Sequence, residues 1–351
     1  MKGVLHVRIL FDLIQTIFIS FFGGYVFHLL SLPLPWVLGS LTAVVLWQGF
    51  TQRKLYLPNS LKNGSLILLG AYFGLYFTLE TFITIGPFLL PYLFLIALLI
   101  LISIWLSIMV TKWISVDKVT STFSSIPGGL TEMVVASESL HANSSYVTIF
   151  QTIRLLTVLF TVPPIMIALF STDTETLIKD TYQATLTFEW SYSFYIFPII
   201  VALILKDKVP AGIVVGPMLV VALLNIILGS IPPLPELLLI IAQICLGASL
   251  GINIHFSTLK EGGKYGFVYL TITLVLIIVS IGLGWILSKL TSLDLATALL
   301  STAPGGLIEM VLIASQVGAD PAIVSALQLT RILLIVTVVP IFLKWYFQKD
   351  R

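Results

Sequence analysis

The chain has 351 residues, of which 58% are hydrophobic and 10% are charged, and its mean hydropathy is +1.07. Soluble domains carry about 25% charged residues, so this composition excludes an ordinary soluble protein and predicts an all-α protein that crosses a membrane repeatedly. The net charge of +2 does not indicate a nucleic-acid partner, and the single cysteine, Cys245, excludes an intrachain disulfide.

The first half contains six predicted helical segments. Lys2 and Arg8 precede the first apolar run, but no small-residue cleavage site follows, so we interpret this run as a retained helix. Gly70 and Gly74 have a spacing that allows close helix packing, although glycines are also simply tolerated in membrane helices. Pro87 is predicted to open the fourth segment. The segments are 9–31, 36–50, 61–79, 87–112, 118–140 and 145–170.

A polar stretch at 171–187 separates this half from a second one in which the same order recurs. We therefore predict a first membrane repeat at 9–170 and a second at 188–346. The predicted segments of the second repeat are 188–205, 211–228, 236–252, 265–288, 295–316 and 321–346.

The two halves are related by an internal duplication. The run Pro-Gly-Gly-Leu-x-Glu-Met begins at Pro127 and again at Pro304, an offset of 177 residues (304 − 127). Without a gap, this offset also pairs landmarks far from the motif, as expected of a duplicated unit. The pairs are Pro33 with Pro210, Gly39 with Gly216, Pro58 with Pro235, Gly70 with Gly247, Gly74 with Gly251, Lys112 with Lys289, Asp117 with Asp294, Gln151 with Gln328, Arg154 with Arg331 and Pro163 with Pro340.

The distribution of basic residues predicts the topology, because Lys and Arg favour the cytoplasmic side. If each motif segment re-enters while the other five segments of its half cross, the halves are inverted and the charges divide 14 to 2. If all six segments cross, the halves are parallel and the division is 12 to 4. We therefore predict two inverted-topology repeats of five transmembrane helices each, two re-entrant or broken motif helices, and both termini in the cytoplasm.

The motif itself predicts a broken helix. Proline lacks an N–H, and two glycines remove the steric bar to unusual backbone angles. A new half-helix would begin after the break, and its free N–H groups would favour an anion. The alternative is a kink that serves only packing.

The polar residues around the break form the candidate substrate or ion site. The two glutamates would either relay a proton or cation, or only offset the dipole of their own helix. Each arginine would clamp a carboxylate-bearing substrate, or pair structurally with the glutamate of its own half. Asn143 and Asp320 are expected to be N-caps. The candidate residues are Pro127, Gly128, Gly129, Glu132, Gln151, Arg154, Pro304, Gly305, Gly306, Glu309, Gln328 and Arg331.

No catalytic residues, metal site or cofactor are predicted. The four histidines are scattered without metal-ligand spacing, and the chain has no nucleophile elbow, P-loop or dinucleotide fingerprint.

The paired motifs resemble the AbrB-duplication family of bacterial membrane proteins over nearly the whole chain. The resemblance implies the plasma membrane of a bacterium. Family members carry labels such as regulator of aidB expression and ammonia monooxygenase, whereas the soluble DNA-binding regulator also called AbrB is a different protein. A copper monooxygenase would need clustered histidine ligands, which this chain lacks, so we do not expect an enzyme.

An inverted repeat with broken helices is typical of secondary transporters. The sequence thus predicts a transporter or exporter of a small anionic organic solute, coupled to H⁺ or Na⁺. The alternatives are a membrane-embedded regulator of gene expression and a membrane monooxygenase. The expected partners are the lipid bilayer and the solute, and no nucleic-acid partner is expected. The sequence does not decide whether the chain forms a homodimer.

Overall fold

The computed structural model describes residues 2–138, 140–170, 190–206, 208–229, 231–254 and 261–348. The predicted linker at 171–187 lies outside the described residues. Within them the chain is helical and contains no strand, which confirms the all-α prediction.

The first half contributes seven α-helices to the described residues. A π-helical turn at Pro35–Gly39 leads into the second of them. The helices are α1 Lys2–Leu29, α2 Ser40–Thr51, α3 Asn59–Gly74, α4 Leu79–Val110, α5 Lys118–Ser125, α6 Leu130–Glu138 and α7 Ser144–Phe170.

The second half contributes another seven in the described residues. A 3₁₀ turn at Trp190–Tyr195 leads into the first of them. The helices are α8 Ile196–Leu205, α9 Gly212–Leu228, α10 Glu236–Ile252, α11 Gly263–Leu290, α12 Leu295–Thr302, α13 Leu307–Gln316 and α14 Pro321–Gln348.

Five helices of the described chain are long and apolar enough to cross a membrane, and shorter apolar helices accompany them. Outside the two motif segments, each half has five helical segments in its described part, as the sequence predicts. The chain is thus a polytopic membrane protein. The five long spans are Ile9–Leu29, Leu79–Val110, Ser144–Phe170, Gly263–Leu290 and Pro321–Phe347.

One predicted boundary is wrong. Pro87 does not open the fourth segment, because α4 begins at Leu79 and contains both Pro87 and Pro91. Prolines are tolerated inside membrane helices, since neighbouring groups and local adjustments re-satisfy the backbone groups that a proline frees.

The chain forms two compact units, and each takes one part from each repeat. The first unit is Met1–Phe82 with Ser171–Phe256, and the second is Ile83–Phe170 with Ser257–Arg351. Both motif segments therefore belong to the second unit.

Close helix packing at Gly70 and Gly74 is confirmed in the first unit. A Cβ on Gly70 would lie 2.3 Å from the carbonyl oxygen of Val214, and one on Gly74 would lie 2.5 Å from that of Met218. No side chain larger than hydrogen fits where α3 crosses α9 at this distance.

The duplication reproduces this contact elsewhere in the same unit. A Cβ on Gly247 would lie 2.3 Å from the carbonyl oxygen of Val37, and one on Gly251 would lie 2.9 Å from that of Leu41. All four residues are the repeat equivalents of those above, so each repeat supplies the glycine helix for one contact and the partner helix for the other.

In the second unit, α7 and α11 lie side by side and run in the same direction. Near their beginnings, the rings of Phe150 and Tyr269 stack with centroids 3.9 Å apart. Further along both helices, Met166 and Ile277 line the same small cavity. In the chain, α7 follows the first motif segment and α11 precedes the second, so this parallel pair relates the positions of the two segments.

Candidate functional site

Each motif segment is a helical hairpin that returns to the level where it begins. The hydroxyl oxygen of Thr120, in the first turn of α5, accepts a hydrogen bond from the backbone N–H of Asn143, just before α7 (2.8 Å). The equivalent bond joins Thr297 to Asp320 (2.8 Å). An eight-residue helix such as α5 or α12 is about 12 Å long, whereas the hydrocarbon core is about 30 Å thick. The motif segments therefore re-enter rather than cross.

The next long helix begins at the open end of each hairpin, and the predicted N-caps are confirmed there. Oδ1 of Asn143 accepts from the backbone N–H of Tyr146 (3.2 Å), and Oδ1 of Asp320 accepts from that of Ile323 (3.1 Å). These bonds satisfy N–H groups that a helix leaves without an internal partner.

The two hairpins enter the second unit from opposite ends. Near the beginning of α11, the hydroxyl of Tyr269 donates to Oγ of Ser121, close to the open end of the first hairpin (2.8 Å). From Tyr269 to the end of α11 at Leu290 the helix rises about 32 Å, and the open end of the second hairpin follows at Asp294. Opposite entry is what inverted repeats require.

The helix breaks at Pro-Gly-Gly in both hairpins, as predicted, but the predicted reason for the glycines is wrong. None of the four motif glycines has a positive φ. Gly306, for example, has φ −74° and ψ 151°, which is an ordinary extended conformation. The glycines are needed for the space around them.

The second glycine of each motif makes room for the glutamate. A Cβ on Gly129 would lie 2.1 Å from Oε2 of Glu132, and a Cβ on Gly306 would lie 2.0 Å from Oε2 of Glu309. Each carboxylate thus folds back over the beginning of its own half-helix, where the helix dipole favours a negative charge.

The first glycine of each motif makes room for the methionine. A Cβ on Gly128 would lie 2.9 Å from Cε of Met133, and a Cβ on Gly305 would lie 2.5 Å from Cε of Met310. Both methionines are fully buried. The glutamate and the methionine of each motif thus occupy the space that side chains at its two glycine positions would need.

The two glutamines satisfy backbone carbonyls at the end of the first half-helix. Nε2 of Gln151 donates to the carbonyl oxygens of Phe123 (2.6 Å) and Ile126 (3.1 Å). Nε2 of Gln328 donates to that of Leu300 (2.7 Å) and to the carbonyl three residues later (3.3 Å). The last carbonyls of a helix have no partner within the helix, so the glutamines stabilise the break.

The arginines bind the tip of the hairpin rather than a glutamate. Nη2 of Arg154 donates to the carbonyl oxygen of Gly128 (2.7 Å), and Arg331 donates through Nη1 and Nη2 to those of Ala303 and Gly305. Among the described residues, no carboxylate forms an ion pair with either arginine. The predicted pairing with the glutamate of the same half is wrong, because that carboxylate turns toward the second glycine.

The two tips approach each other inside the second unit. Cγ2 of Ile335, one turn beyond Arg331, lies 3.0 Å from where a Cβ on Gly128 would sit. Arg154 bonds the carbonyl of that same Gly128, and Arg331 lies one turn before Ile335, so the two arginines lie in the same part of the unit. They are 7% and 3% exposed, and Nε of each is buried without a hydrogen-bond partner. The twelve candidate residues thus all lie at or beside the two tips.

Two further residues that hold the hairpins were missed in the sequence. The hydroxyl of Tyr92 on α4 donates to the carbonyl oxygen of Ser301 on α12 (3.1 Å), and that of Tyr269 on α11 donates to Ser121 on α5. Each tyrosine bonds the hairpin of the other repeat. Tyr92 and Tyr269 match at the offset of the duplication, which is the signal that could have found them.

This arrangement defines a class: a polytopic helical membrane protein in which two re-entrant hairpins bring buried arginines together. No group of three His, Cys, Asp or Glu side chains that could hold a metal occurs in the described part of the chain. The family described as "Transition state regulatory protein AbrB" matches residues 7–347, and the chain belongs to that family.

Two relatives resemble the chain at low identity. A protein of Escherichia coli (strain K12) named "Putative regulator AbrB" is 26% identical over 320 residues, which cover 87% of this chain and 88% of the relative. A protein of Bacillus subtilis (strain 168) named "Uncharacterized protein YhjN" is 27% identical over 248 residues, 64% of this chain and 63% of the relative. That match spans less than two thirds of the B. subtilis protein. No solved structure gives a significant match.

Proposed function

We propose that the protein is a secondary transporter of a small organic anion. The observation that carries the proposal is the pair Arg154 and Arg331, two buried cations in the same part of the second unit that have no carboxylate partner among the described residues. Inverted hairpins whose tips meet are a recurrent way to build a transport site at mid-membrane depth.

Electrostatics favours an anionic solute at this place. A charged side chain at the centre of a bilayer costs about 2.5–3.5 kcal/mol on insertion scales, and a second like charge nearby adds to that cost. The carbonyls that bind Arg154 and Arg331 offset part of it, because a carbonyl oxygen carries a partial negative charge, and that of Ala303 lies at the C-terminal end of α12. A bound anion would neutralise the remaining charge.

Coupling to H⁺ or Na⁺ is assigned in this proposal to the glutamates. Glu132 and Glu309 lie at the tips and form no ion pair with a described arginine. Each is therefore free to change its charge state, or to approach a cation, without breaking a bond that holds the hairpin.

The experiment is uptake into proteoliposomes. Purified protein is reconstituted, and small radiolabelled organic acids are screened with and without an imposed proton or sodium gradient. We expect one acid class to accumulate, and we expect Arg154→Gln to abolish this while the exposed Lys344→Gln on α14 does not. Uptake no greater than in empty liposomes for every acid, or full uptake by Arg154→Gln, would contradict the proposal.

The second candidate is a membrane-embedded regulator, which the names of the family and of the E. coli relative favour. Transcript profiles of a deletion strain complemented with wild type or with Arg154→Gln distinguish a direct regulator from a transporter that affects gene expression through its solute. A direct regulator restores the wild-type profile with either chain, whereas regulation through a transported metabolite needs the arginine.

A further inference from the structure

The two hairpin tips are equivalent in sequence but differ in exposure. Val135 on α6 is 62% exposed, whereas its repeat equivalent on α13, Leu312, is 4% exposed. The glutamates follow the same pattern, since Glu132 is half-buried and Glu309 is 5% exposed. The second half-helix of the first hairpin is therefore open on the side of Val135, whereas that of the second hairpin is buried at the equivalent position.

The tips also differ in how firmly they are held. Arg331 donates to two carbonyls of its hairpin, but Arg154 donates to one. Tyr92 bonds a backbone carbonyl at the end of α12, whereas Tyr269 bonds only a serine side chain on α5. More donors of Arg154 than of Arg331 thus remain free for another acceptor.

The open side of α6 has the polarity of a surface in contact with water. Gly129, Glu132, Val135 and Glu138 follow one another at intervals of three residues, and all four are exposed or half-exposed. Two carboxylates and a helix N-terminus are costly in hydrocarbon unless water or protein covers them. Water or another protein surface, rather than lipid, therefore lies beside this face.

We infer that the stripe formed by these four residues is the wall of a water-filled approach to the first tip. Arg154 is the guanidinium that meets the anion there once H⁺ or Na⁺ neutralises Glu132. Arg331 contributes its charge from the second hairpin and is a positioning residue that fixes that hairpin. The assignment of the anion rests on the proposed transport function. The water-filled approach and the positioning role of Arg331 do not depend on it.

Matched cysteines test the approach. Val135→Cys and Leu312→Cys are made in a Cys245→Ala background, because Cys245 is the only native thiol. Membranes opened by freeze–thaw are treated with a charged methanethiosulfonate, which reacts with thiolates in water. We expect modification at 135 and none at 312. Equal labelling of both positions, or no labelling at 135, overturns the open first tip.

Arginine variants test the division of roles. Arg331→Gln should lower the unfolding temperature of the purified protein more than Arg154→Gln does, and Arg331→Lys should not restore it, because a lysine cannot bond two carbonyls in the fixed geometry of a guanidinium. Equal unfolding temperatures for Arg331→Gln and wild type overturn the positioning role.

The anion assignment has its own readout. If the reconstituted protein transports an acid, Arg154→Gln should abolish uptake or raise KM more than Arg331→Gln does, while Arg331→Gln should chiefly reduce the amount of folded protein. A raised KM in Arg331→Gln alone overturns the assignment. Absence of uptake in wild type contradicts the transport proposal, and the cysteine and unfolding results still decide the structural part.

Discussion

The carboxylate of Glu309 occupies the space that a side chain on Gly306 would need, with Oε2 of the glutamate 2.0 Å from the position of a Cβ. The same relationship holds between Glu132 and Gly129. The motif is therefore a set of mutually dependent residues rather than a flexible hinge, and its glycines are predicted to resist substitution even by alanine.

Gly306→Ala should destabilise the protein by about 1 kcal/mol, the low end of the cost of overpacking, because the atom that must move is the end of the buried Glu309 side chain. The measurement is thermal unfolding of the protein in detergent. Gly282→Ala on α11 is the matched control, because a Cβ there meets nothing within 4 Å. Adding Glu309→Ala to Gly306→Ala removes the clash, so the double variant should be no less stable than Glu309→Ala alone. Additive losses would mean that the contact does not explain the glycine.

Gln151→Leu and Gln328→Leu should each destabilise the fold. Gln151→Leu removes the donor from two buried carbonyls, whereas Gln328→Leu removes it from that of Leu300 only, because the carbonyl of Ala303 keeps its bond to Arg331. An unsatisfied buried acceptor costs about 1–3 kcal/mol, so Gln151→Leu should cost more. Thr337→Val is the control, since the hydroxyl of Thr337 bonds only a carbonyl of its own helix. Unfolding temperatures near that of the control would show that water or another group satisfies the carbonyls.

Tyr92→Phe should cost more stability than Tyr269→Phe. Without the hydroxyl of Tyr92, the carbonyl of Ser301 loses the donor that bonds it, and the expected loss is about 1 kcal/mol. Without the hydroxyl of Tyr269, the hydroxyl of Ser121 still donates its hydrogen bond to the carbonyl oxygen of Ser107 (2.8 Å). Denaturation of both variants side by side gives the order, and the reverse order would refute this bond assignment.

Glu132→Gln should change the dependence of transport on pH or sodium more than it changes the affinity for the solute. The substitution keeps the shape of the side chain but removes its charge, and the arginines do not depend on that charge for their bonds. Uptake is measured across a series of proton and sodium gradients. An unchanged ion dependence in both Glu132→Gln and Glu309→Gln would remove the glutamates from the coupling.

The inverted topology predicts that both termini and the loop holding Arg53 face the cytoplasm, and that 171–187 faces outward. A cysteine replacing Thr176, in a chain without Cys245, should react with an impermeant maleimide in intact cells. A cysteine replacing Ser31 should react as well. Reaction at Ser31 with none at Thr176 would show parallel halves instead.

The sequence by itself determined the duplication, the all-α membrane class and the place where each motif helix breaks. It did so because these features depend on local chemistry: apolar length, the missing N–H of proline, and identity at a fixed offset. The charge distribution also predicted inversion, and the opposite entry of the two hairpins agrees with it. The spacing at Gly70 left close helix packing and simple tolerance of the glycines open, and the structure shows the packing.

Only the tertiary structure decided what the polar groups bind. Arg154 and Gly128 are 26 residues apart, and Tyr92 and Ser301 are 209 residues apart, so no local pattern specifies these bonds. The sequence favoured a glutamate as the partner of each arginine because opposite charges attract. The fold instead placed backbone carbonyls of the helix break beside the arginines and turned each carboxylate onto its own helix start. A buried backbone N–H or C=O group needs a hydrogen-bond partner. Which group becomes that partner is decided by the folded structure, because it comes from a distant part of the sequence.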